Sequence, residues 1–133
     1  MLTCLALVAF NVASLGDIPK LTGELETEAR ALAAVDTFST ELVTRIQGLS
    51  TEAEALSVSL HRAGVGQDMP CIFQGIANDA RERAAEFTGA DTQAEQDAAL
   101  MNMRVLMDDV AMLAPLAAAA AADRAEERHI AQR

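Results

Sequence analysis

Between residues 20 and 62, apolar side chains return every three or four positions, and no other feature limits the fold as much. They stand at Leu21, Leu25, Ala29, Leu32, Val35, Phe38, Leu42, Ile46, Leu49, Ala53, Leu56 and Leu60. Eleven steps cover 39 residues, a mean of about 3.55, between the coiled-coil repeat and the period of a free helix. Glu24, Glu26, Glu28, Glu41, Glu52 and Glu54 mostly fall off this stripe. The pattern predicts one amphipathic helix over 20–62, continuous or at most kinked. Gly48, with Thr51 and Glu54 set as a capping box just after it, marks the place where that helix could divide.

The rest of the chain reads the same way. Residues 2–15 predict a short apolar helix, stopped by Gly16, Asp17 and Pro19. Gly64, Gly66 and Pro70 make 63–70 a reversing loop. A helix over about 71–87 follows, with Phe73, Ile76, Ala77, Ala80, Ala84 and Phe87 on one face. Residues 88–91 are expected to form a turn, and Thr92 with Glu95 is a capping box that opens the last long helix. Its core stripe is Ala99, Met103, Leu106, Val110, Leu113, Ala117 and Ala121. Pro115 lies inside it and is expected to bend it, and the charged residues 123–133 are expected to fray. The fold class is therefore all-α: an antiparallel bundle of about four helices, one or two of them long and coiled-coil-like. The whole chain, 1–133, reads as a single domain.

Composition agrees. Twenty-eight residues are Ala, four are Phe, and Trp and Tyr are absent, so helix propensity is high and sheet-forming residues are sparse. The formal charge is −10, which opposes phosphate backbones and anionic membrane surfaces. No nucleic acid is expected as a partner. The run from Leu2 to Phe10 is too short for a membrane span. It has the length of a signal-peptide core, with Val12, Ala13 and Ser14 as a possible cleavage site. No basic residue precedes it, however, and Lys20 is the first. A buried first helix and a cytoplasmic protein are the expectation, with export as the alternative. Cys4 and Cys71 belong to no C-x-x-C pair and read as reduced thiols rather than a disulfide.

Chemistry is hard to assemble from these residues. A di-iron bundle needs two Glu-x-x-His pairs, and only Glu126 with His129 fits. His61 reads as a solvated residue at a helix end, where a cation suits the dipole. Cys71 follows Pro70 at a helix start, but no base can be assigned to it. Asp108 and Asp109 read as surface acids, with Arg104 one turn earlier as an ion-pair partner. No phosphate loop, nucleophile elbow or metalloprotease motif occurs. No cofactor and no metal are expected.

The last helix is apolar off its stripe as well. Met101, Val105, Met107, Met112 and Leu116 form the candidate interaction face. Flexible methionines there would re-pack against a partner. The expected function is a non-enzymatic interaction module of adaptor, chaperone or signalling type. Its partner would be another protein or a second copy, most simply in a homodimer. The alternative is a small bundle that holds an apolar ligand or a metal in its core.

Overall fold

The structure, a computed structural model, describes residues 17–133. The short helix and the signal peptide weighed for the first residues lie outside that span. Four helices account for 85% of the described residues, and no strand occurs among them. They are α1 (Ile18–Ala33), α2 (Thr40–Arg62), α3 (Asp68–Gly89) and α4 (Gln93–Ala131). Each packs on two others: α1 on α2 and α4, and α3 on the same two. The expected all-α bundle is what forms.

The continuous helix over 20–62 does not form. It divides between Ala33 and Thr40, well before Gly48. Ser39 is the N-cap of α2, and its Oγ accepts from the Leu42 amide at 3.2 Å. The apolar stripe crosses the break because the connection supplies its own core residues. Val35 and Phe38 pack against the core from irregular backbone, and the Phe38 ring stacks on Phe87 with centroids 5.7 Å apart. Periodicity alone thus hides a six-residue connection. Gly48 and Thr51 sit inside α2, where Thr51 Oγ1 donates back to the Gln47 carbonyl at 3.2 Å.

The reversal after α2 follows from one glycine. Gly64 has φ +76°, open to glycine at no steric cost. Its amide donates to the His61 carbonyl, and the Val65 amide reaches back to Leu60 at 3.1 Å. These two bonds make a Schellman motif, and Val65 and Leu60 are both buried in the core. Helix α3 starts at Asp68, three residues before the expected 71. Pro70 fits within its first turn, where the missing N–H has no helical partner to lose.

Two buried hydroxyls then record the α2 and α3 register. Ser57 Oγ donates to the Pro70 carbonyl at 2.6 Å, and Ser50 Oγ to the Ala77 carbonyl at 2.8 Å. Seven residues back along α2 match seven forward along α3, so the pair is antiparallel. The capping box opens α4 as expected: Thr92 Oγ1 accepts from the Glu95 amide, and Glu95 accepts from the Asp91 and Thr92 amides. Those backbone donors hold the Glu95 carboxyl below its ordinary range.

Helix α4 runs through Pro115 and on to Ala131, so residues 123–131 are helical. The alanine run before them favours helix, and Arg124 pairs with Glu127 at 2.8 Å. The Arg124 and Arg128 guanidinium groups come to lie over Gly64, closing the far end of the bundle.

Candidate interaction face

The candidate chemical residues do not converge. His61 is exposed on the last turn of α2. Glu126 and His129 are exposed near the end of α4, where His129 Nε2 lies 3.1 Å from Arg133. Cys71 is a half-buried free thiol whose amide already donates to the Gln67 carbonyl, and Cys4 lies outside the described residues. No group of three or more His, Cys, Asp or Glu side chains suited to a metal occurs among the described residues.

One acidic groove was not foreseen. It opens between α1 and α2, holds about 690 Å³, and its charged and glycine lining is Lys20, Gly23, Glu24, Glu28, Arg45, Gly48 and Glu52. The two glycines leave it open, since a Cβ on either would meet nothing within 4 Å. Arg45 Nε bonds Glu28 at 2.8 Å, and this bond raises the guanidinium pKa further. Glu52 has no such cation among the described residues. Burial, and then the charges of Glu24 and Glu28, push its carboxyl above the ordinary range. The sign of the consequence follows from linkage. Well below the ordinary carboxylate pKa, Glu52 is protonated whether folded or not and costs nothing. As pH rises through the raised folded value, it ionises beside two like charges, and the folded state is penalised. Glu52→Gln should therefore be more stable than wild type at pH 7, with the gain fading as pH falls to about 4. Denaturant titrations at both pH values check this. A variant no more stable at pH 7 would show that the carboxylate is not penalised.

The outward side of α4 carries four exposed apolar side chains between residues 101 and 116. Met101 is 66% exposed, Val105 61%, Met112 61% and Leu116 52%. Their spacing of four, seven and four places them on one face of the helix. Met107 leaves this set. It lies some 160° around the helix from Val105, and it is fully buried with Met103, Val110 and Ala114. The face has two edges. On one, Arg104 Nη2 donates to the Val35 carbonyl at 2.9 Å, across to the α1–α2 connection. On the other, Asn102 Nδ2 reaches Glu86 of α3 at 3.4 Å. The expected Arg104–Asp108 ion pair is absent among the described residues, because Arg104 takes the carbonyl instead.

Helix α4 is also long and apolar enough to cross a membrane, with a window of mean hydropathy 1.6. Its inner side is packed in the bundle core. Asp108 and Asp109 also lie along its exposed side, where hydrocarbon would penalise each by about 2.5–3.5 kcal/mol. Set beside known proteins, the chain matches no family model, no curated protein and no solved structure.

Proposed function

We propose that this protein is a non-enzymatic helical interaction module that works through the outer face of α4, beginning with self-association into a homodimer. The observation that carries this reading is the exposure of Met101, Val105, Met112 and Leu116 on a folded helix. They span about 23 Å at 1.5 Å per residue. An apolar strip of that length, rimmed by charge, is what a protein-binding surface looks like. Two methionines in the strip, Met101 and Met112, let it adapt to more than one partner, which suits an adaptor or signalling-type bundle.

Sedimentation velocity across micromolar concentrations tests it. Wild type should sediment above the 14.1 kDa monomer mass. Met101→Glu/Met112→Glu should sediment as a monomer and keep its helical circular dichroism, since both side chains are exposed. A wild type that stays monomeric throughout, or a variant that associates as well as wild type, removes the reading.

A further inference from the structure

We propose that the α4 face seats a second copy of this chain in an antiparallel, two-fold dimer, in a register set by Arg104 of each copy against Asp108 of the other. This rests on the interaction reading and goes further, to the occupant and the alignment. In an isologous contact, residue i meets j while j meets i. Two antiparallel helices related by such an axis bring each edge of the face against the same edge of the other copy. Arg104 and Asp108 are one turn apart and share the edge that borders the α1–α2 connection. They are opposite in charge, exposed, and without an ion-pair partner among the described residues. One axis, level with Leu106, joins both reciprocal pairs at once.

The apolar residues point to the same axis independently. Stacking Met101 of one copy on Met112 of the other, twice, needs a centre only half a residue away. Val105 then meets its own counterpart near the axis. The other alignments fail on charge. A parallel pair swaps the edges and sets Asp108 of one copy beside Asp109 of the other, at nearly the same level. An antiparallel pair centred on Asp108 and Asp109 gathers four carboxylates. Like charges across an interface oppose it.

The experiment uses Arg104→Asp and Asp108→Arg in the full chain, alone and mixed. Each variant alone places like charges at both reciprocal contacts, so its dimer dissociation constant should rise about tenfold or more. In an equimolar mixture, each contact again pairs opposite charges, and a heterodimer of near wild-type affinity should form. Arg104→Asp also gives up the bond to Val35, whereas Asp108→Arg leaves it intact and serves as the fold control. Single variants as tight as wild type, or a mixture with no recovery, overturn the register. If Met101→Glu/Met112→Glu nonetheless dissociates, the face reading survives that result. A monomeric wild type overturns both.

Discussion

Phe73→Ala should lower the free energy of unfolding by about 3–5 kcal/mol, the range for truncating a buried phenylalanine. Phe73 is fully buried in α3, in one core cluster with Leu56, Leu60 and Ile76. It stands between Pro70 and Ala77, whose carbonyls receive the Ser57 and Ser50 hydroxyls. The backbone on both sides is therefore tied to α2, and the site cannot easily collapse around the lost ring. Only four phenylalanines occur in the chain, so few other large side chains exist to fill the space. The loss is a large part of the stability of a domain this size. Urea or guanidinium unfolding, with the slope compared between proteins, measures it. A loss below about 1 kcal/mol would mean that the ring is not held as this packing requires.

How far this packing could be read beforehand depended on whether the determining signal was local. The α3 face at Phe73, Ile76, Ala77, Ala80, Ala84 and Phe87 is buried as its spacing predicts. So is the α2 stripe from Leu42 to Leu60. The Thr92 and Glu95 box and the Gly64 reversal are likewise short-range features, complete within a few residues. The division between α1 and α2 was different. A connection that packs half-buried Val35 and Phe38 against the core imitates helical periodicity, and only the bond from Leu42 to Ser39 distinguishes a cap there. Ser39 was visible, but serine also occurs at Ser50, Ser57 and Ser59 inside α2.

The candidate face shows the same boundary. Its four outward residues are set by angular position on one helix, which spacing conveys. Met107 shares their apolar character but not their angle, and its angle turns it inward. The one-turn spacing pairs Arg104 with Asp108, yet Arg104 bonds the Val35 carbonyl, 69 positions away. The groove at Glu24, Glu28 and Glu52 also needs two helices laid side by side, so no local pattern announces it.

Ala77→Leu should cost about 3–5 kcal/mol, by the opposite route of crowding the α2–α3 seam. The alanine-rich composition acts here: Ala53 on α2, with Ala77 and Ala80 on α3, are fully buried. Small side chains let the backbones approach closely enough for a serine side chain to bridge them. The Ser50 hydroxyl spans to the Ala77 carbonyl at 2.8 Å, and a side chain that short cannot follow if the helices part. Three more methylene-sized groups at Ala77 force them apart, an overpacking cost of about 1–3 kcal/mol. Separation also breaks the buried Ser50 and Ser57 bonds, at about 1 kcal/mol each. The two contributions can be told apart by a double-mutant cycle with Ser50→Ala. In wild type, Ser50→Ala should cost about 1 kcal/mol. In the Ala77→Leu background it should cost almost nothing, because the bond is already gone. If the two losses simply add, the helices have not moved, and the leucine has been accommodated without opening the seam.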